Sequence, residues 1–520
     1  MHLLRQLSIH RQVDRFLAAN ISVGIAHFLV LFNAGAYLPM IPRISGSLGR
    51  APLYGDWTQD LYFLALGLSL PLAPWVSRRW GDRDGLLACL LALFVTALLN
   101  AVTQDYAVFL LARVAAGFAG GLSIPLSLNI LLRHYHAKHR SIGLLLWGFA
   151  AVTPFALGPF VGGWIADVWG WRWLFLLNLP ILLASFLGVL FWEEASSRGP
   201  ARFDWFGYLL FCAALLSAEM AFNLGSRDDW WRSGEFRLLF LGALILLSAA
   251  ILWSRSHEQA AVDLRPFRHL SVALAAAGIF STALVFQGTL ALLIVQYQLA
   301  FGYSADAIGK ILLSLAIFAP LSVALSHWYL ARFDPRPWAL LSMILLAAAA
   351  FWLSSYDLPA SPSSLVGPPA LVGLGLGGVF GSWARMGVWG LSGQEEQRAA
   401  TLLNLLRSTG QAMGIPLVAG LWERRSDLHR HFLVEDRGNN LTLWQEARTR
   451  LRLDLGPLGG LQHLAGQLQQ QAAMLAFNEI FFWAGWIFLG LACWSLLVRR
   501  PRPSGESRAE KMAAVELVEP

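Results

Sequence analysis

The chain has 520 residues, of which 56% are hydrophobic and only 14% are charged, against about 25% charged residues in ordinary soluble domains. Its net charge is +7 at pH 7, but the basic residues fall in short clusters between long apolar runs. This distribution disfavours a soluble enzyme, a nucleic-acid-binding protein and a disordered protein, and it indicates a chain that lies mostly against lipid.

Fourteen apolar runs are long enough to cross a bilayer, which takes roughly 20 residues per helix. Backbone groups in lipid must be paired within the segment, so these runs are predicted to be helices and the fold class is an all-α polytopic membrane protein. The predicted spans are 16–41, 57–76, 85–102, 106–132, 141–165, 173–191, 205–223, 238–253, 270–299, 307–330, 337–353, 365–391, 399–421 and 477–498.

The loops alternate in their content of Lys and Arg, which are concentrated on the cytoplasmic side of membrane proteins. If the N-terminus is cytoplasmic, the basic clusters 78–83, 133–140 and 198–202 and the C-terminal tail all fall on that side. The pattern predicts that both termini are cytoplasmic, as an even number of spans requires.

A short internal repeat links the loops after the second and tenth spans. Residues 75–83 align without gaps with residues 328–336, and the matched pairs are Trp75 with Trp328, Arg79 with Arg332, Trp80 with Phe333 and Arg83 with Arg336. Parallel repeats of this kind place a transport cavity between two rocking halves. We predict six-helix halves over 1–192 and 257–498, a linker with two inserted helices over 193–256, and a cytoplasmic tail over 499–520.

Residues 424–475 form the one large external segment. Charged residues, mostly Arg, mix with Leu at helical spacing there, and glutamines follow. An amphipathic helical hairpin outside the membrane fits this pattern, and it would serve either as a docking surface for a partner or as a mobile surface loop.

The fifth span carries a run of prolines and glycines, Pro154, Gly158, Pro159, Gly162 and Gly163. Small residues let membrane helices approach closely, so this run predicts a bent, smooth face suited to a sliding contact.

Because it carries this proline–glycine run together with the motifs below, the chain resembles the major facilitator superfamily, specifically its fourteen-spanner drug:proton antiporters of the EmrB type. The prolines and glycines of the fifth span look like that family's antiporter motif, and Arg113 with the glycines after it looks like its fourth-helix motif. The loop with Arg78, Arg79, Gly81 and Arg83 resembles its cytoplasmic gating loop. Further similarity appears at residues 171–173, 229–230, 262–264 and 478–481 and at Asn404 with Arg407.

The resemblance implies an inner-membrane pump that exports hydrophobic drugs or toxic organic compounds in exchange for protons by alternating access. It also implies a possible periplasmic adaptor and an outer-membrane channel as partners. We find no phosphate-binding loop, metal-binding helix or nucleophile elbow, so neither enzymatic activity nor a cofactor or metal is expected.

Two departures concern acidic positions of the family. Asn33 stands where the first helix of relatives usually carries Asp, and Asn223 stands where they carry an acid before the loop between the seventh and eighth spans. An amide carries no proton, so the alternative is an exporter or facilitator of metabolites or lipid-like compounds without proton coupling.

Charged residues within spans are costly, at about 2.5–3.5 kcal/mol at the bilayer centre on insertion scales, and are candidates for function. Five stand out, namely Asp60, Arg113, Glu219, Arg385 and Arg407. At a rise of 1.5 Å per residue, Asp60 and Arg113 lie about 6–10 Å deep from the same side, so they are placed to form an ion pair.

We therefore expect proton coupling to involve Asp60, Arg113 and Glu219. Arg113 would keep Asp60 deprotonated while the two are paired and release it when the halves rock. The alternative for Asp60 is an interfacial carboxylate wetted at the end of its helix.

A cavity for hydrophobic drugs needs aromatic walls and a few polar anchors. The candidates for this cavity are Asn33, Trp147, Phe286, Gln287, Gln296, Asn404 and Arg407.

Overall fold

The computed structural model describes residues 2–50, 52–135, 140–194, 198–227, 230–358, 361–438 and 441–499. All regular secondary structure in these ranges is helical, as predicted. Except for Arg499, the predicted tail 499–520 lies outside the described residues.

Six long helices or helix pairs make up the N-terminal half. They are α1 (His2–Tyr37) with the short α2 (Ile41–Ser47), α3 (Pro52–Ser69) with α4 (Ala73–Arg79), α5 (Asp82–Val102), α6 (Tyr106–His134), α7 (Arg140–Val168) and α8 (Arg172–Trp192). Two inserted helices follow, α9 (Trp205–Arg227) and α10 (Gly234–Ser256).

Six helices make up the C-terminal half. They are α11 (Leu270–Leu299), α12 (Ala305–Leu330), α13 (Pro335–Leu353), α14 (Gly367–Gly387), α15 (Gly393–Gly438) and α16 (Leu441–Leu497). We call the end of the bundle that holds the α7–α8 and α11–α12 connections the outer end, and the opposite end the inner end.

Side-chain caps define where several helices begin. Asp105 accepts a hydrogen bond from the backbone N–H of Val108 at the start of α6, at 2.9 Å. Ser233 and Ser304 cap α10 and α12 in the same way, and Asp334 caps α13. Such caps satisfy backbone donors that the first helical turn leaves without partners.

The two halves meet along two helix pairs. In the N-terminal half α1 packs against α6, α7 and α8, and in the C-terminal half α11 packs against α14, α15 and α16. Between the halves, α7 packs against α12 and α3 packs against α15. The inserted helix α9 packs on α10 and also contacts α3 and α15, so it touches both halves.

Thirteen described helical segments are long and apolar enough to cross a membrane. The one predicted span without such a segment, 399–421, lies within α15, where Asn404, Arg407 and Gln411 lower its hydropathy. It is nonetheless packed between α3, α11 and α16, as a bundle helix would be.

The segment 424–475, predicted to be external, is helical up to Gly438, where α15 ends, and again from Leu441, where α16 begins. At its base, Arg425 of α15 forms an ion pair with Glu479 of α16 at 2.6 Å. His429 contacts the same carboxylate at 2.9 Å. This cluster joins the two helices where they leave the predicted membrane region.

The aligned loops of the internal repeat also pack alike. The rings of Trp75 and Trp80 lie 6.1 Å apart between centroids, and those of Trp328 and Phe333 lie 5.9 Å apart. Equivalent positions of the two halves thus adopt the same local arrangement.

Candidate functional site

The proline–glycine run of α7 lies at the contact between helices. A Cβ atom on Gly158 or Gly162 would meet the backbone of Ala36 in α1, and one on Gly163 would meet the carbonyl oxygen of Ala305 in α12. Pro154 and Pro159 lie inside the same helix. These glycines therefore let α7 pack against both halves at backbone distance, which is what a sliding contact needs.

Hydrogen bonds join the halves at the outer end. Gln298 donates to the carbonyl oxygen of Pro39 at 3.0 Å. The backbone N–H of Asp306 donates to the carboxylate of Asp167 at 2.7 Å.

At the inner end, Ser141 of α7 and His327 of α12 form a side-chain hydrogen bond of 2.9 Å. The α7–α12 contact is thus held by polar interactions near both of its ends.

The predicted gating loop ties helices of the N-terminal half together at the inner end. Arg83 donates to the carbonyl oxygen of Leu190 in α8 at 2.6 Å, and Asp82 accepts from Asn129 of α6 at 3.1 Å. Gly81 adopts a φ of +84°, which favours glycine at this turn. Arg78 and Arg79 are exposed beside it.

Arg113 is fully buried in α6, with a side chain held by polar and aromatic groups. Its guanidinium donates to Gln59 at 2.7 Å and lies 4.1 Å and 4.3 Å from the ring centroids of Tyr37 and Tyr62. The expected ion pair with Asp60 is not formed, because Gln59, the preceding residue of α3, takes that place.

Asp60 instead faces the inserted helix α9. Its side chain is 0% exposed, and Glu219 and Asn223 of α9 lie within electrostatic reach of its carboxylate. Asn223 donates to the carboxylate of Glu219 at 3.2 Å. Two buried carboxylates and an amide therefore meet where α9 contacts α3, near the outer end.

Four of the predicted cavity candidates form one group, and the other three lie apart from it. Phe286 packs against Phe380 of α14 at 6.1 Å between ring centroids, and Arg407 lies 5.7 Å from that Phe380 ring. Asn404 is exposed one turn before Arg407. Trp147 stacks on His27 of α1 at 4.5 Å between ring centroids, and His27 lies within electrostatic reach of Arg407.

The remaining candidates lie apart from that group. Asn33 accepts a hydrogen bond from Asn178 of α8 at 2.7 Å. Gln296 is buried beside Met474 of α16, with 3.7 Å between its amide nitrogen and the sulfur. Gln287 is buried in α11 with no protein hydrogen bond to either side-chain atom.

Sequence reasoning missed His27, Gln59 and Phe380. His27 had a usable signal, because an ionisable residue in the middle of an apolar span is a functional candidate. Gln59 and Phe380 had none, since one amide or phenyl ring in a span looks like many others.

The chain is similar to known proteins over most of its length. The family profile of the Major Facilitator Superfamily matches residues 23–415. The chain is 26% identical over 490 residues to the fatty acid resistance protein FarB of Neisseria gonorrhoeae, covering 93% of this chain and 96% of FarB. It is 25% identical over 481 residues to the multidrug export protein EmrB of Escherichia coli K12, covering 91% and 93% respectively.

A crystal structure of an auto-inhibited POT family peptide transporter shares the fold. The superposition has a TM-score of 0.62 at 12% sequence identity and covers 94% of this chain and 99% of that one. At this identity the likeness concerns the fold alone.

Proposed function

The chain belongs to the major facilitator superfamily, and from this premise we propose that it exports hydrophobic drugs or toxic organic compounds across the inner membrane by proton antiport. The relatives matched over nearly their whole length are named for multidrug export and for fatty acid resistance. The two halves, joined through α7–α12 and α3–α15, provide the interface at which alternating access would occur.

The buried pair of Asp60 and Glu219 is the single observation that carries proton coupling. Two carboxylates in a water-poor site do not both ionise readily, so such a pair tends to share one proton. Both lie at the contact between α3 and α9, and α9 also contacts α15 of the other half. Movement of the halves would change the distance between the two carboxylates and so drive proton uptake and release.

A second candidate is an exporter of metabolites or lipid-like compounds without proton coupling. Asn33 favours it, because this amide occupies the family's acidic position and its side chain is held by neutral groups. It accepts from Asn178 and donates to the carbonyl oxygen of Leu29 at 2.8 Å.

The test uses inside-out membrane vesicles from a host that lacks its own drug pumps. A proton gradient, acidic inside, should drive uptake of a lipophilic fluorescent dye by the wild-type protein. We expect Asp60→Asn and Glu219→Gln each to lower gradient-driven uptake about tenfold or more while downhill exchange of the dye persists. Asp105→Asn removes a carboxylate but keeps a helix cap, so it serves as the matched control.

Equal numbers of protons moved per dye molecule in both variants and in the wild type would contradict the coupling role of this pair. Gradient-independent flux in the wild type would favour the uncoupled exporter.

The periplasmic adaptor and outer-membrane channel belong to the same proposal. The hairpin formed by the outer parts of α15 and α16 is the surface on which an adaptor would dock. Both termini would then be cytoplasmic, as the distribution of basic residues predicts.

A further inference from the structure

Three exposed arginines lie at the inner end of the N-terminal half. Arg78 and Arg79 are the last two residues of α4, and Arg202 belongs to the linker that leads into α9. Among the described residues, no Asp or Glu forms an ion pair with any of the three, and the carboxylate of Asp84 is already paired with Arg198. The three charges therefore lack a neutralising group within the part of the chain that the structure describes.

Hydrogen bonds bring the linker to α4. The backbone N–H of Gly199 donates to the carbonyl oxygen of Arg78 at 2.9 Å. The indole N–H of Trp75 donates to the carbonyl oxygen of Ala201 at 3.2 Å. Because Ala201 directly precedes Arg202, the backbone of Arg202 lies close to α4, and the positive charges of the two segments are concentrated in one place.

Exposed aromatic rings border these charges. Trp80 is 46% exposed and Trp205 is 50% exposed, and both pack on Trp75, at 6.1 Å and 5.5 Å between ring centroids. Tryptophan is enriched at the level of the lipid head groups, where its ring meets apolar groups and its N–H meets polar ones. We call this surface the Arg–Trp patch, and its members are Arg78, Arg79, Trp80, Arg202 and Trp205.

The equivalent loop of the C-terminal half lacks this concentration of charge. Ala331 stands at the position that aligns with Arg78. Arg332, which aligns with Arg79, is bound within its own loop, since it donates to the carbonyl oxygen of Trp328 at 3.3 Å and lies 5.2 Å from the centroid of that ring. The Arg–Trp patch therefore belongs to one half and does not follow from the internal repeat.

We propose that the Arg–Trp patch binds the head group of an anionic phospholipid from the leaflet at the inner end. Guanidinium groups form paired hydrogen bonds with phosphate oxygens, and anionic lipids are attracted to basic groups at the membrane surface. The lipid phosphate takes the place of the missing acidic partner, and the acyl chains lie beside Trp80 and Trp205. A soluble phosphate compound would leave both rings in contact with water, so a lipid matches the charges and the rings together.

The bound lipid has a structural consequence. Because Arg79 comes from α4 and Arg202 from the linker to α9, one head group that contacts both joins the inserted helices to the N-terminal half. This role concerns a lipid partner and does not depend on which compound the protein exports.

Native mass spectrometry of the detergent-solubilised full chain tests this site, because it resolves single bound lipids. The probes are phosphatidylglycerol and phosphatidylcholine with the same acyl chains. We expect the wild-type protein to bind the first phosphatidylglycerol at least tenfold more tightly than phosphatidylcholine. Arg79→Gln and Arg202→Gln should each reduce this preference about fivefold, and the double variant should abolish it.

Arg332→Gln is the matched control, because it removes an arginine from the equivalent loop of the other half and should leave the preference unchanged. An excess of glycerol 3-phosphate should not displace the bound lipid. Equal binding of the two lipids by the wild type would overturn the proposal, and this comparison requires no variant to fold. An unchanged preference in the double variant, an equal loss in Arg332→Gln, or displacement by glycerol 3-phosphate would overturn it as well.

Discussion

At the scale of single residues, Arg113 shows how this bundle keeps a charge in its interior. Its guanidinium is enclosed by Tyr37 and Tyr62 and hydrogen-bonded to Gln59. Contacts with aromatic faces and an amide replace the acidic partner that a buried cation usually has. The residue therefore links α1, α3 and α6 through its planar shape as well as through its charge.

Replacing Arg113 by Lys should be far from conservative. Lys keeps the charge but loses the planar group that fits between two rings and reaches Gln59. We expect about a tenfold or greater loss of dye transport in vesicles, together with lower thermal stability of the purified protein. Arg43→Lys, at an exposed position with an ion pair to Asp167, should behave like the wild type, and equal transport by both variants would contradict this role.

The sequence predicts the position of the buried charges along their helices but not their partners. Counting from helix ends gives the height of Asp60 and Arg113, because the rise per residue is constant. It does not give the rotation of α3, and neighbouring residues of a helix point about 100° apart. Gln59 therefore meets Arg113, whereas Asp60 points to Glu219 of a helix whose position in the bundle no sequence pattern reveals.

At the scale of elements, α7 depends on its glycines for contact with both halves. Gly158→Val should force α7 away from α1, because the added side chain would collide with the backbone at Ala36 and with the Cα of Gly35 at 2.9 Å. Overpacking of this kind costs about 1–3 kcal/mol. We expect a lower melting temperature and a severalfold slower transport rate.

Gly148→Ala lies on the same helix and is the control for that change. Its new methyl group would meet only Val323, at 3.4 Å, so stability and transport should stay near wild type. If the two variants behaved alike, close approach at Gly158 would not be what the α7 contact requires.

The inner ends of α11 and α15 are joined by a polar cluster outside the predicted spans. Glu395 accepts hydrogen bonds from His269 at 2.9 Å and Arg268 at 2.7 Å. The His269 hydrogen bond lowers the pKa of Glu395 below its usual value, and the Arg268 contact adds to this against the opposing effect of partial burial. A carboxyl whose pKa is lower in the folded than in the unfolded protein stabilises the fold at pH values above its unfolded pKa. This contribution is lost as the pH falls through the folded pKa.

Glu395→Gln should therefore lower the melting temperature slightly at pH 6–8, in keeping with the 0.2–1 kcal/mol that is roughly typical of exposed pairs. The difference from wild type should shrink as the pH falls below about 4.3, the usual value for glutamate, and vanish only below the lowered pKa of the folded protein, where the wild-type carboxyl is also protonated. Melting curves of the detergent-solubilised proteins across this range measure it. A difference that persisted at the lowest pH would mean that the shape of the side chain, and not its charge, matters.

At the scale of the whole molecule, the proposed export mechanism depends on movement between the halves. Cysteine pairs at positions 167 and 306 at the outer end, or at positions 141 and 327 at the inner end, replace residues already in contact across the interface. With the native cysteines replaced, a short reducible cross-linker at either end should lower transport at least tenfold. Reduction should restore it.

A cross-link between positions 425 and 479 is the control, because both lie in α15 and α16 of one half. It should leave transport unchanged. Full transport with the halves locked at either end would rule out alternating access between them.

The sequence was sufficient to predict the fold at this scale. Apolar runs of sufficient length define the helices, and the likeness of residues 75–83 to 328–336 predicts the pairing of halves. The spans fix neither helix order nor rotation within the bundle, so the contacts α7–α12 and α3–α15 had to come from the structure. Segment 424–475 was predicted to be helical from its Arg and Leu spacing, and both of its arms are.

The placement of α9 and α10 has a consequence for the lipid that surrounds this protein. Most of α10 is open to its surroundings, while α9 touches both halves. A bilayer thinner than these two helices would tilt them, and a thicker one would thin locally around them, since hydrophobic mismatch is relieved in these ways. Such a change would alter the position of Glu219 relative to Asp60. The transport rate should therefore depend on the acyl-chain length of the lipids and be highest at one membrane thickness.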